Sequence, residues 1–231
     1  MNDTEIIKIN NLVKDYVIGK QFFRALSDIN LSINTGEFCG LVGPSGSGKT
    51  TLINIIGALD NPTQGDAVVM DKSVYSLNHQ EAAKLRNESI GFIFQTYNLF
   101  PVYTVFENVE FPLLLLKKNK TERKETVMRA LEWVGLSAKA NSRPNQLSGG
   151  ESQRVAVARA MVKVPRIVLA DEPTANLDAA NSHNILKTMQ KLNSELKTTF
   201  IFATHDEKVI GYLKRKIVLN DGKVIDDINV N

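Results

Sequence analysis

Gly43-Pro44-Ser45-Gly46-Ser47-Gly48-Lys49-Thr50-Thr51 lies between the apolar run Phe38-Cys39-Gly40-Leu41-Val42 and the segment Leu52-Ile53-Asn54-Ile55-Ile56-Gly57. A buried strand, a glycine-rich turn and a helix in that order are the setting that a G-x-x-x-x-G-K-T phosphate loop requires. Gly43, Gly46 and Gly48 permit backbone angles and close approaches that a side chain blocks, so successive N–H groups can turn toward an anion. The helix beginning near Lys49 adds the positive end of its dipole. Lys49 supplies a point charge for β and γ phosphates, and the Thr50 hydroxyl a ligand for Mg²⁺.

Three further places carry polar chemistry at the ends of apolar runs. Ile167-Val168-Leu169-Ala170 emerges at Asp171-Glu172-Pro173. Two carboxylates beside a triphosphate divide the labour, Asp171 on the Mg²⁺ shell and Glu172 on an attacking water. Thr199-Phe200-Ile201-Phe202-Ala203 ends at Thr204-His205-Asp206, and Ile90-Gly91-Phe92-Ile93-Phe94 ends at Gln95. Polar residues at the carboxyl ends of buried strands sit where α/β folds place ligands. The run Gln146-Leu147-Ser148-Gly149-Gly150-Glu151 leads into the helical segment Val155 to Val162, which gives a second helix N-terminus suited to an anion.

The elements that must position these groups are legible around them. Ile6 to Ile9, Leu12 to Tyr16 and Ile29 to Ile33 alternate apolar and polar residues, as strands with one wet face do, and Gly19 and Thr35-Gly36 supply turns. Tyr16, with Phe22 and Phe23 nearby, offers an aromatic face that suits a purine or a core. Asn61 to Asp66 marks a turn before the strand Ala67 to Met70, and His79 to Asn87 is expected to be helical. From Tyr97 to Lys139 the pattern is mostly helical. Thr104 with Glu107 makes one N-terminal signature, and a second helix is expected to open at Thr121 and reach Val134. Between them Phe111 to Leu116 is apolar throughout, either local core or a groove for a partner's helix. Asp178 is placed to cap a helix from Ala179 to Glu195, and Lys216 to Ile225 closes the chain as a hairpin around Asn220-Asp221-Gly222.

The chain has 231 residues, 43% of them hydrophobic, enough to bury a substantial core. Its 28 basic and 25 acidic residues leave a net charge of +3 with no basic stripe, which argues against nucleic acid as a partner. The single Cys39, inside an apolar run, reads as a small buried hydrophobe in a reducing compartment. The N-terminus lacks the pattern of a secretory signal, and no apolar cluster approaches the roughly twenty residues that span a bilayer. Any membrane work therefore falls to another chain.

In order and spacing, Gly43 to Thr50, Gln95, Leu147-Ser148-Gly149-Gly150, Ile167 to Glu172, Asp178 and His205 resemble the nucleotide-binding subunit of ATP-binding cassette transporters over essentially the whole chain. Gly57-Ala58-Leu59-Asp60, Pro101 through Pro112, Arg143-Pro144 and Leu169 to Thr174 are similar to one branch, the lipoprotein-releasing and macrolide-exporter ATPases. The fold that this implies is α/β, a P-loop ATPase with a mixed core sheet, an N-terminal antiparallel β-subdomain and an inserted α-helical subdomain. Residues 1–231 then form one such domain, 1–96 and 160–231 as core and β-subdomain and about 97–159 as the helical part.

The resemblance further implies ATP and Mg²⁺ as cofactors and a homodimer with two ATP molecules between its subunits. The loop around Lys49 in one copy faces Ser148, Gly149 and Gly150 of the other. Tyr16 matches the position that stacks on adenine, and Gly43 to Thr51 the loop that holds the phosphates. Gln95 reaches Mg²⁺ and senses the membrane partner, His205 holds the γ-phosphate, and Asp178 links the two sites. Integral membrane permease subunits are the expected partners, which would place the protein peripherally on the cytoplasmic face of the inner (plasma) membrane. Lipoproteins, peptides or hydrophobic drugs are the expected cargo, and force transmission in a cell-envelope or division complex is the alternative. Glu151-Ser152 and Ala175-Asn176 depart from the commoner family residues without removing a charge the reaction needs. A chromosome ATPase would need long heptad arms between Thr50 and Leu147, which are absent, and a non-catalytic module would lack Glu172 or His205, which are present.

Overall fold

The alternating N-terminal segments form a long hairpin, β1 (Glu5–Ile18) and β2 (Gln21–Asn34), whose antiparallel register sets Tyr16 opposite Phe23 and Val17 opposite Phe22. The structure is a computed structural model and describes residues 5–19 and 21–230. After the hairpin come β3 (Phe38–Val42), α1 (Lys49–Ile56), β4 (Gln64–Val69), β5 (Lys72–Ser73), α2 (His79–Ser89) and β6 (Ile90–Ile93). A helical stretch follows, α3 (Val105–Leu115), α4 (Lys120–Trp133) and α5 (Gly149–Met161). The chain then returns through β7 (Ile167–Asp171), α6 (Ala179–Leu196), β8 (Thr199–Thr204), α7 (Glu207–Ile210), β9 (Arg215–Asn220) and β10 (Lys223–Asn229).

Two sheets result. One is antiparallel, in the order β2-β1-β4-β5; the other runs β10-β9-β3-β8-β7-β6, parallel except for the closing hairpin. The parallel strands are apolar on both faces, as buried parallel strands must be. Ile167, Leu169, Ile201 and Ala203 face a cluster shared with the antiparallel sheet and α1, whereas Val168, Ala170, Phe200 and Phe202 face one shared with α3 to α6. The central sheet is thus sandwiched between two apolar layers, and its strand ends have little freedom to move. Cys39 is fully buried in the first layer, where loss of hydration pushes its thiol up, so it packs as the expected small hydrophobe.

Helix starts follow capping chemistry. Thr104 and Glu107 exchange the reciprocal bonds of a capping box at α3, as the sequence pattern indicates. The next helix does not open at Thr121. Its cap is Asn119, whose Oδ1 accepts from the Glu122 N–H at 2.9 Å, a stronger cap two residues earlier. Helix α3 also runs on through Pro112, so the apolar run Phe111 to Leu116 is a helix end with two fates: Leu113 is core and Leu115 is 56% exposed. The β9–β10 turn places Asp221 and Gly222 at φ 46° and 73°, the paired left-handed residues of a tight hairpin. Gly222 donates its N–H to the Ser47 carbonyl at 3.1 Å, so this turn braces the phosphate loop from behind.

Candidate functional site

Strand order assembles the site. In the sequence β3-β8-β7-β6 all four strands are parallel, so the residues just past their carboxyl ends line one edge of the sheet: the Gly43–Gly48 loop, His205, Asp171 with Glu172, and Gln95. This is the rim where open α/β sheets bind ligands. A cleft of about 510 Å³ opens there, lined by Ser45, Gly46, Gly48, Lys49, Thr50, Thr51, Gln95, Glu172 and His205, with Tyr16, Phe23 and Ala25 from the β1–β2 hairpin closing one side.

The loop takes its shape from glycine at two points. Gly48 caps α1 at φ 101° and has the Ala25 carbonyl 2.7 Å from where a Cβ would stand. A Cβ on Gly43 would fall 2.0 Å from the Leu219 carbonyl. Side chains at either position would force the backbone apart. No side chain caps α1, so its first N–H groups remain open toward the cleft. Lys49 Nζ donates to the carbonyls of Gly43 and Pro44 at 2.7 and 2.8 Å, folding over the loop. Burial lowers its pKa, with the carboxylates of Glu172 and Asp171 opposing the shift. Ser47 Oγ is buried in the same loop without a partner among the described residues.

Thr50 Oγ1 donates to Asp171 Oδ1 at 3.2 Å, bringing two hard oxygen atoms together beside the loop. Burial raises the Asp171 pKa, partly offset by the Thr50 bond. Glu172 sits at φ 45°, a left-handed conformation that costs a non-glycine residue roughly 1–3 kcal/mol and that accumulates at functional sites. Its carboxylate is held on both oxygens: Thr204 Oγ1 donates to Oε2 at 3.0 Å, and His205 Nδ1 lies 2.6 Å from Oε1. His205 therefore leans on the neighbouring strand's carboxylate, a contact that the γ-phosphate expectation does not contain. Thr204 and Gln153 carry no motif and were not singled out from sequence. Fully buried Gln153 donates from Nε2 to the Pro173 carbonyl at 2.5 Å, tying α5 to the residue after Glu172.

Eight expected residues do not line the cleft: Gly43, Pro44, Ser47 and Asp171, which belong to the loop and to the end of β7, and Ser148, Gly149, Gly150 and Asp178. Ser148, Gly149 and Gly150 open α5 elsewhere on the chain, with Ser148 and Glu151 joined in a capping box. Asp178 caps α6, accepting from the N–H and side chain of Asn181 at 2.8 and 2.7 Å. Asn176, on the same turn, donates to the Gln95 carbonyl at 3.0 Å. A second concavity of about 490 Å³ lies between α2, α3 and α5; Phe92, Phe94, Phe100, Phe111, Pro112 and Leu115 line it together with Arg86, Arg159 and Lys163. Arg159 and Lys163 spend their bonds on backbone carbonyls, Tyr97 and Asn98 for the first, Arg86 and Asn87 for the second. Burial lowers Lys163 to about 8.

Known proteins match this arrangement along its length. A family model described as ABC transporter matches residues 26–175. An uncharacterised ABC transporter ATP-binding protein of Methanocaldococcus jannaschii, MJ0796, is 44% identical over 223 residues, covering 95% of each chain. Another from Bacillus subtilis, YvrO, is 44% identical over 222 residues, covering 96% of each. The dimeric structure of a post-hydrolysis state of MJ0796 bound to ADP and Pi superposes with a TM-score of 0.90 at 41% identity, over 97% of this chain and 99% of that one.

Proposed function

The chain belongs to the ABC transporter family as an ATP-binding, ATP-hydrolysing subunit, and from that premise we propose that two copies close head to tail around two ATP molecules to drive a membrane permease. One observation carries the proposal. The cleft is lined by the phosphate loop and by the strand-end groups Gln95, Glu172 and His205, yet the second helix end with anion-binding character, at Ser148, Gly149 and Gly150, lies outside it. A second copy is the economical source of that missing wall, and dimeric MJ0796 is similar over nearly its whole length.

In this reading Tyr16 stacks on the adenine, the Gly43–Thr51 backbone and Lys49 hold the phosphates, and Thr50 and Asp171 with Gln95 hold Mg²⁺. Their chemistry fits: hard oxygens in small number suit an ion that keeps several waters and shares phosphate ligands. When bound there, Mg²⁺ would supply neutralisation of charge on the phosphate oxygens. Glu172, fixed by Thr204, accepts a proton from the attacking water, and His205 turns from Glu172 to the γ-phosphate. Charge growing on the transferred group meets Lys49 and the partner copy's Ser148 end of α5. Asp178 and Asn176 connect that helix turn to Gln95 and so one site to the other.

The groove beside Phe94 and Leu115 receives a short helix of the permease. Its apolar lining, which includes Phe94, the residue before Gln95, supports that role. Among the described residues no helix is long and apolar enough to cross a membrane; the family resemblance supports a place for this subunit on the cytoplasmic face, beside a permease that spans the bilayer. The resemblance to lipoprotein-releasing and macrolide-exporter ATPases supports acylated or hydrophobic cargo. Light scattering on Glu172→Gln protein tests the core of the proposal: ATP should convert it from monomer to dimer, and a monomer persisting at high protein and ATP concentration would overturn it.

A further inference from the structure

One polar cluster borders the cleft without belonging to the phosphate loop or the strand ends. Lys14 is 9% exposed, and its ammonium donates to Asp60 Oδ1 at 2.5 Å and to the Asn61 carbonyl at 2.7 Å. Tyr16 donates its phenol O–H to Asp60 Oδ2 at 2.9 Å. Lys14 Nζ also lies 4.8 Å from the Tyr16 ring centroid, within cation–π reach. The Asp60 carboxylate thus takes a bond from each of two residues of one strand, beside the Asn61 N–H on Oδ1 at 2.8 Å, and of those two residues Tyr16 lines the cleft.

We infer that Asp60, assisted by Lys14, is a positioning residue for nucleotide binding: it fixes the Tyr16 ring as the platform for the purine base. The inference rests on the proposed stacking of Tyr16 against that base. Geometry explains why such an anchor is needed. Tyr16 sits on a hairpin whose tip is exposed, Val17 at 67% and Phe22 at 79%, so the surrounding packing holds the ring weakly. Its hydroxyl is instead anchored on Asp60, in the turn that follows α1, and the Asp60 N–H donates to the Asn54 carbonyl inside that helix at 3.3 Å. The N-terminus of that helix is the phosphate site, so one rigid element sets the spacing between base platform and phosphate loop. An immobile aromatic face loses little freedom when a base settles on it, which is how preorganisation gains affinity.

Equilibrium binding of ATP and of inorganic tripolyphosphate to the purified protein tests this. Asp60→Ala should raise the Kd for ATP about tenfold, part of the range for one base–aromatic stack, and leave the Kd for tripolyphosphate within about twofold. Tyr16→Phe, which keeps the ring and loses the anchor, should match it, and the double variant should be no weaker than either single one. Asp60→Asn, nearly isosteric, should fold where Ala does not and give about a threefold rise by losing the ion pair. Unchanged ATP binding, equal loss of both ligands, or additive losses in the double variant would each overturn the assignment. Tyr16→Ala separates the two layers. If it weakens ATP while the Asp60 variants do not, the positioning role alone falls; if it changes nothing, the stacking reading falls as well.

Discussion

Helices α1 and α5 both begin at glycine-rich segments, and both N-termini read as anion sites, but they are built in opposite ways. At α1 the cap is Gly48 at φ 101° with no side-chain bond, so the first-turn N–H groups stay open and Lys49 adds a cation. At α5 the Ser148 N–H is taken by Glu151 Oε2 at 2.8 Å and the Glu151 N–H by Ser148 Oγ at 3.2 Å, which leaves Gly149 and Gly150 as the open donors and puts a carboxylate beside them. A helix dipole is common to both and therefore decides nothing. In the proposed dimer the α1 end binds on its own, and the α5 end only completes the site.

The largest test of this difference is chemical. Glu172→Gln, at the cleft beside α1, should lower turnover by about 10²–10⁴, the usual value of a general base, and leave ATP binding within about twofold. Single-turnover hydrolysis measures it, and a parental rate would remove Glu172 as base. Lys49→Ala comes next. Losing charge-assisted contacts of about 1.5 kcal/mol each should weaken ATP binding by on the order of 100-fold, read by titration calorimetry. Ser148→Ala sharpens the contrast, because ATP binding to the monomer should not change while turnover falls about tenfold through loss of one hydroxyl contact in the closed dimer. Equal damage to monomer binding by Lys49→Ala and Ser148→Ala would mean that both helix ends serve one chain's site.

The sequence was informative wherever one residue type has one physical use. Strand ends at Gln95, Glu172 and His205 follow from apolar runs, and the parallel order β3-β8-β7-β6 then carries them to one rim. Capping signatures located α3 and α6 but misplaced the start of α4, where Asn119 outcompetes Thr121 as an N-cap, and the helix expected over Val155 to Val162 begins at Gly149 behind a Ser148–Glu151 box. The anchors were not legible. Lys14, Asp60, Gln153 and Thr204 act through partners 20 to 46 residues away, and no local periodicity encodes such pairings. The contact between His205 and Glu172 belongs to the same class, since it depends on the register of two adjacent strands.

A smaller effect separates the ends by proton rather than by residue. Asp171 carries a pKa raised by burial, so it takes up a proton at a higher pH than a carboxyl at its ordinary 3.8. In the proposed Mg²⁺ site its ligating, ionised form is therefore lost earlier on acidification. Mg²⁺-dependent ATP binding should weaken as pH falls toward that raised value, while Mg²⁺-free ATP binding changes less; parallel titrations with and without the ion check this. Asp171→Asn should remove the difference.

The smallest effect lies at α5. Glu151 is held below the ordinary carboxylate range, chiefly by the Ser148 N–H bond, so its capping contribution is complete above 4.5 and fades as pH falls through the lowered value. Glu151→Ala should cost about 1 kcal/mol in urea unfolding, the usual worth of such a cap. Glu151→Gln keeps both bonds of the box and loses only the part of the contribution that depends on charge, so it should cost less stability than Glu151→Ala. If this helix end meets a triphosphate across the dimer, that neutralisation should strengthen ATP-driven association a few-fold at low salt and lose the advantage at high salt, as screening removes the repulsion. An unchanged association constant at both salt concentrations would place the α5 end away from any phosphate and leave α1 as the chain's one anion site.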